Sequence, residues 1–380
     1  MSLISFFGDF VAQNVDGLFI DDEIGCILKT SDYNVLNFEA PINISGTKPI
    51  NKSGPNLCQP STSSEWVERN GFNVISIANN HAFDYGEDSM EATKNSFKKA
   101  KVVGAGEWDE AYHVLEIELD DKVRIGILCL THREFGTLYD HWDKSHSKGT
   151  AWLSHPFVKT LIIENKKRMD YLFLYIHAGI EYVDYPLPEY RDLYRSFIDC
   201  GVDAVVATHP HVPQGWEEWK GKPIFYSLGN FCFQTDHTKR NHWDESLCVT
   251  FSLDKNSHLS FVVNYLLYND GKKCIVLNDN ASFASHIEHL CSTLDDPNAY
   301  MNEINHACVD LLPQYYGHFS HSGFVNVHSI KSFLKGFYDV IKHRPFFNKV
   351  HAINNLQCET HCSAIIRGLK NKYGDEMTKK

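Results

Sequence analysis

The chain has 380 residues, 36 of them basic and 48 acidic, for a formal net charge of −12; 43% of residues are hydrophobic and 22% charged. This is the composition of a globular protein with room for one large α/β domain and an appendage. The negative balance excludes a general nucleic-acid binder, which needs a basic surface for phosphate contacts, but is compatible with a local basic pocket for an anionic substrate.

The first apolar run, Leu3 to Phe7, is too short for a secretory signal and lacks a basic flank. No apolar run approaches the ~20 residues needed to span a bilayer. The expectation is a cytoplasmic protein without a transmembrane anchor. The eleven cysteines form no Cys-x-x-Cys pair and sit mostly in apolar strands or beside helices, as buried reduced thiols do.

Short apolar runs at 35–38, 74–77, 123–130, 171–176, 204–207 and 224–226 read as buried strands. Helix-like segments lie between several of them. The stretch 87–99 has acids in its first turn and lysines in its last, and 188–200 begins with proline and ends at Gly201, matching the dipole and capping preferences of helices. The alternation predicts an α/β layered domain over 1–280. Its last part, 248–253, 259–268 and 273–277, reads as an antiparallel meander. Beyond it, helical spacing at 286–294, 299–312, 327–341 and 352–369 predicts a helical C-terminal appendage over 281–380.

Several predicted strands end in hard-oxygen or imidazole donors. Asp9 follows the first run, Glu39 the second, and Asn80 with His81 the third; His177 follows 171–176, and His209 with His211 follow 204–207. Each has a structural reading when taken alone: Asp9 as a turn residue, Asn80-His81 as a helix cap, His177 as a hydrogen-bonded core histidine. Together they bring carboxylates and imidazoles to one edge of a sheet, where α/β folds place their sites. That donor set suits a divalent metal such as manganese, zinc or iron. Two such ions bridged by a carboxylate are a recurring device for phosphate-ester hydrolysis. Arg133, just past another strand, could clasp a phosphate or carboxylate or serve a surface salt bridge. Gly104-Ala105-Gly106 lacks the third glycine of a dinucleotide fingerprint and reads as a turn.

The motifs Asn37-Phe38-Glu39-Ala40-Pro41, Ser76-Ile77-Ala78-Asn79-Asn80-His81-Ala82-Phe83-Asp84-Tyr85-Gly86, His177-Ala178-Gly179-Ile180-Glu181-Tyr182, Thr208-His209-Pro210-His211 and Ser227-Leu228-Gly229-Asn230-Phe231, in that order, resemble the CapA family. That family, named for a protein of poly-γ-glutamate capsule biosynthesis, lies within the calcineurin-like metallophosphoesterase superfamily. The resemblance implies a four-layer α-β-β-α sandwich with metals at the sheet edges. Carried over by position, Asp9 and His211 would hold one ion, Asn80, His177 and His209 the other, with Glu39 bridging. His81 would protonate the leaving oxygen or steady the phosphoryl charge, and Glu181 would stand beside the ligands or at the substrate mouth. The implied substrate is a phosphate ester or an anionic polymer precursor, handled alone or within a polymer-synthesis complex.

Three departures qualify the match. Val11 stands where superfamily members usually carry a histidine, the bridging acid is a glutamate, and Thr208 replaces a glycine before the histidine pair. The Asp9 side would keep only three protein ligands, so one firmly held ion is a realistic outcome. Two functions follow from the sequence: a metal-dependent hydrolase of the phosphoesterase type, or a non-catalytic metal-binding scaffold component of a polymer-synthesis complex.

Overall fold

The computed structural model describes residues 2–119, 122–138, 147–234, 240–254, 259–316 and 349–378. The helix expected at 327–341 lies outside the described residues. The chain divides into two compact units, Met1–Ile50 with Asn56–Asp295, and Asn51–Pro55 with Asp296–Lys380.

The first unit is built on two sheets. The larger, of nine strands, runs in the order Phe19–Ile20, Cys274–Leu277, Ser260–Asn269, Glu245–Leu253, Ser2–Val11, Tyr33–Phe38, Val74–Ser76, Lys101–Val103, with the ninth, Asn230–Phe233, pairing Ser2–Val11 off this path. The second has six strands, ordered Trp216–Trp219, Lys222–Phe225, Ala204–Thr208, Tyr171–His177, Arg124–Thr131, Leu115–Glu118. Tyr171–His177 is buried at every position, which explains its unbroken apolar run: a parallel strand covered on both faces has no solvent side to alternate with. The sheets meet face to face through aromatic rings, with Phe6 5.5 Å from Phe173 and 5.7 Å from Tyr175, centroid to centroid. The Tyr175 hydroxyl donates to the Phe7 carbonyl at 2.5 Å, which satisfies it inside the apolar layer.

Helices cover the outer faces. Ile24 and Leu28 of Asp22–Thr30, Trp66 and Val67 of Thr62–Arg69, and Met90 of Gly86–Ser96 join Phe7, Phe10, Leu36 and Ile75 in one core. Phe157–Lys166 and Pro188–Asp199 pack on the second sheet through Val158, Ile162, Tyr194 and Phe197. The result is the four-layer α-β-β-α sandwich. The meander is antiparallel as expected, Glu245–Leu253 pairing with Ser260–Asn269 and the latter with Cys274–Leu277.

One helix stops earlier than its sequence pattern. Gly86–Ser96 ends before the lysines of 98–99, because Glu68 Oε1 accepts from the amides of Lys98, Lys99 and Ala100 at 2.8, 2.6 and 2.7 Å. A carboxylate that gathers three successive amides competes directly with helix continuation.

The strand Ser2–Val11 changes partners halfway along. Ser2 to Phe6 pair antiparallel with Glu245–Leu253, whereas Asp9 to Val11 pair in parallel with Asn230–Phe233. The exchange needs glycine at Gly8, where a Cβ would sit 1.9 Å from the Gly229 carbonyl oxygen. It also sets Asp9 beside Asn230 in register.

The helix Ala281–Asp295 belongs to the first unit. Arg191 Nη2 donates to the Leu294 carbonyl at 2.7 Å, and Gly215 has no room for a Cβ against Cys291 N at 2.9 Å. The division between units therefore falls after this helix, at Asp295. The second unit contains Pro297–Tyr315, Lys349–Gln357 and Glu359–Thr378. Its first and last helices pack closely at Gly368, where a Cβ would lie 2.5 Å from the Cys308 carbonyl oxygen. The single helix expected over 352–369 is two helices that meet at Cys358. Among the described residues, no helix is long and apolar enough to cross a membrane.

Glu217 is the electrostatic centre of the second sheet's outer face. It accepts from Arg195 Nε at 2.6 Å and the Tyr226 hydroxyl at 2.8 Å, and also pairs with Arg191. Burial opposes its charge, but the hydrogen bonds from Arg195, Arg191 and Tyr226 win and hold its pKa below the ordinary value. Glu217→Gln should cost ~3–5 kcal/mol in urea unfolding at neutral pH, because it strands buried Arg191. A depressed folded pKa gives stability that is complete above the unfolded carboxylate range and lost as pH falls through the folded value. The variant should therefore show a shallower acid limb in stability against pH; an unchanged limb would count against this role.

Candidate metal centre

The candidate metal ligands and His81 converge at the carboxyl ends of strands from both sheets. Asp9 lies in Ser2–Val11, Glu39 follows Tyr33–Phe38, and Asn80 and His81 follow Val74–Ser76. His177 ends its strand, and His209 and His211 follow Ala204–Thr208. Asp9 and Glu39 have no exposed surface. His209 and His211 are held at φ of 99° and 59°, a conformation that costs a non-glycine residue about 1–3 kcal/mol and is typical of functional sites.

Two donor groups share Glu39: Glu39 with His177 and His209, and Glu39 with Asp9 and His211. In the first, His177 Nε2 lies 3.0 Å from His209 Nδ1, 3.1 Å from Asn80 Oδ1 and 3.6 Å from Glu39 Oε1. These three separations bracket the ~3.4 Å edge of a tetrahedron with ~2.1 Å metal–ligand bonds, and Glu39, His177 and His209 offer donor atoms within 4.8 Å of one another. In the second, His211 Nε2 lies 3.5 Å from Glu39 Oε1, and Asp9 Oδ2 lies 3.8 Å from His211 Nδ1. Both Asp9 oxygens also accept from the protein: Oδ1 from Asn37 Nδ2 at 2.7 Å, Oδ2 from the His209 amide at 3.0 Å.

Val11 settles how the second group is completed. It is fully buried in a small apolar cluster with Ala40, Phe233 and Trp243, two of which also pack on the His211 ring. The space beside His211 is filled by hydrocarbon on this side. The first group is the better equipped of the two.

Neighbouring side chains set the imidazole protons. Asn230 donates through Nδ2 to the carbonyls of His211 and Trp243, so its Oδ1 must accept, and His211 Nδ1 donates to it at 3.0 Å. That leaves the His211 Nε2 lone pair facing Glu39. On His177, Nδ1 faces Thr208 Oγ1 at 3.0 Å, Asn37 Nδ2 at 3.1 Å and Asp9 Oδ1 at 3.4 Å, while Nε2 faces the first group. Thr208 thus gives His177 a hydroxyl partner that a glycine could not. His81 Nδ1 pairs with Asp84 Oδ2 at 2.6 Å.

The electrostatics keep the histidines neutral. Burial, followed by the charges of His132, His177, His211 and His81, holds His209 well below the ordinary imidazole range. Burial also lowers His177, although Asp9 opposes it, and lowers His211 to about 4. For Asp9, burial favours the neutral acid, but His177, His211 and Asn37 together hold the pKa below the ordinary carboxylate value. Neutral imidazoles beside an ionised Asp9 are the protonation states that metal ligands require.

Glu181 is half-buried in the turn after His177, and Arg133 lies with its guanidinium 5.7 Å from the Trp152 ring centroid; neither belongs to a donor group. The neighbour of Arg133, His132, is the one that reaches the centre, its ring 4.4 Å from that of His209. Asn37, Asp84, Thr208 and Asn230 were quoted in the motifs, but their supporting roles came into view only with the geometry. The Asn80-His81-x-x-Asp84 spacing was the signal available for Asp84.

The family model described as bacterial capsule synthesis protein PGA_cap matches residues 13–235. The chain is similar to the PGA biosynthesis protein CapA of Bacillus subtilis, at 30% identity over 70% of this chain and 69% of that protein. It is similar to the capsule biosynthesis protein CapA of Bacillus anthracis at 31% identity, over 60% of this chain but only 56% of that protein. Among solved structures, a provisional 5'-nucleotidase from Staphylococcus aureus in complex with alpha-ketoglutarate aligns with a TM-score of 0.46 and 18% identity, covering 78% of this chain and 58% of that one.

Replacing Asn230 by Ala frees the His211 tautomer without touching a donor atom. The expected outcome is a 10–100-fold weaker affinity for a second equivalent of manganese or zinc by calorimetry, with the first equivalent little changed. Equal weakening of both would overturn the separation into a stronger and a weaker group.

Proposed function

We propose that this chain, which belongs to the bacterial capsule synthesis protein PGA_cap family, is a metal-dependent phosphoesterase-type hydrolase acting on a phosphate ester or related anionic precursor of an envelope polymer. The observation that carries this reading is the convergence of Asn80, His209 and Glu39 on His177 Nε2 at 3.1, 3.0 and 3.6 Å, together with the His81–Asp84 pair.

These four residues would hold the ion, with Asp9 and His211 offering a weaker second position across Glu39. A bound divalent ion would supply positive charge for the phosphoryl oxygens and lower the pKa of a water for attack. The protein's own contribution is orientation and proton handling. Asp84, with no exposed surface, fixes the His81 ring through Nδ1, so that Nε2 can carry a proton to the departing oxygen. Glu39 and Asp9 balance charge inside a site from which water is largely excluded, where each electrostatic contact counts for more than at the surface.

Val11 supports a second reading. With hydrocarbon where a ligand usually stands, the site could hold one ion that orders the sheet edges of a scaffold component in a polymer-synthesis complex. Metal content and turnover separate the two. Wild-type protein purified without chelator should carry close to one tightly held ion, and His209→Ala should lose it. His81→Asn should keep the metal while hydrolysis of p-nitrophenyl phosphate or bis(p-nitrophenyl) phosphate falls ~10²–10⁴-fold. If metal-loaded wild type hydrolyses neither ester, the scaffold reading replaces the hydrolase.

A further inference from the structure

Beside His211 opens a cleft of about 430 Å³ lined by Tyr182, Asp184, Val212, Arg240, Asn241 and His242. Its volume falls in the range of roughly 300–1,000 Å³ that small-molecule sites occupy. None of these six residues belongs to a donor group.

Tyr182 is the pivot of the cleft. It is held at a φ of 63°, its amide donates to the Pro210 carbonyl at 2.8 Å, and the residue remains 39% exposed. The turn that carries it is pressed onto the histidine pair: Gly179, at φ 149°, has no room for a Cβ against Pro210 Cγ at 2.7 Å. A strained backbone that keeps a large aromatic ring half in water places that ring where a ligand can use it. The ring stacks on Trp243 at 5.7 Å and lies 6.1 Å from the His211 ring. On the same ring sits the Arg240 guanidinium, 5.2 Å from its centroid.

An arginine seated on an aromatic ring is pre-oriented, yet its in-plane N–H groups remain available for a planar or tetrahedral oxyanion. We propose that Arg240 and Tyr182 form a subsite next to His211 that binds a carboxylate or phosphate group on the part of the substrate adjoining the reacting bond. Asp184, on the wall of the same cleft, disfavours anions that approach away from Arg240 and so fixes the side on which the charge is received. The proposal rests on the metal-centre reading for which bond reacts, but the subsite's own affinity for an oxyanion does not require the ion.

Calorimetric titration of the full chain, metal-free and manganese-loaded, tests it with two probes. Triglutamate represents the carboxylate source and inorganic tripolyphosphate the phosphate source. Wild type should bind at least one of them, and the probe preferred identifies the source. Arg240→Gln should weaken that binding about tenfold or more, the scale of a lost charge-assisted bidentate contact. Arg240→Lys should restore it only partly, and Tyr182→Ala should weaken it in the same direction, with metal content unchanged in all three. Wild type that binds neither probe, or Arg240→Gln that binds like wild type, overturns the proposal. Arginine-dependent binding in a protein that takes up no metal would sustain the subsite while removing the metal-centre reading.

Discussion

Two carboxylates, Asp9 and Glu39, are sealed from solvent at the ends of adjacent strands, and the rest of the site answers to that burial. An ionised carboxylate taken out of water costs several kcal/mol unless opposing charge and hydrogen bonds compensate. Asp9 receives Asn37 and the His209 amide. Glu39 lies between His177 and His211, each with Nε2 within 3.6 Å of its Oε1. The histidines are in turn kept neutral by burial and by one another. A divalent cation at this position would answer the negative charge that the fold has drawn inward.

Val11 and Thr208 have structural partners of their own. Val11 extends an apolar cluster that also braces His211. Thr208 supplies a hydroxyl to His177. Both residues brace an existing histidine rather than add a donor.

Much of this was legible in the sequence, for a physical reason. Parallel strands covered on both faces appear as unbroken apolar runs, and the residue that ends such a run is carried to the sheet edge; Asp9, Glu39, His177 and His209 could all be placed in this way. Arg133 shows the limit. Neighbours at a strand end point to opposite sides, so His132 reaches the centre while Arg133 goes to Trp152. Asn230 was unreadable in its role because its action depends on lying beside Asp9 across the sheet. The true end of the helix Gly86–Ser96 depends on Glu68, a residue from the helix before it. Tyr182 and Arg240 are far apart in sequence, and only the fold brings a guanidinium onto that ring.

The partner exchange along Ser2–Val11 also bears on how the molecule is assembled. The strand Ser2–Val11 lies inside the larger sheet, yet its partners on one side, Asn230–Phe233 and Glu245–Leu253, come near the end of the first unit's sequence. Until they are made, the strand presents an open apolar edge, the kind of surface that invites mispairing. Long-range pairing of this sort slows folding. Asp9 and Asn230 meet only when that edge closes, so the contact that orients His211 waits on a long-range pairing in the sheet.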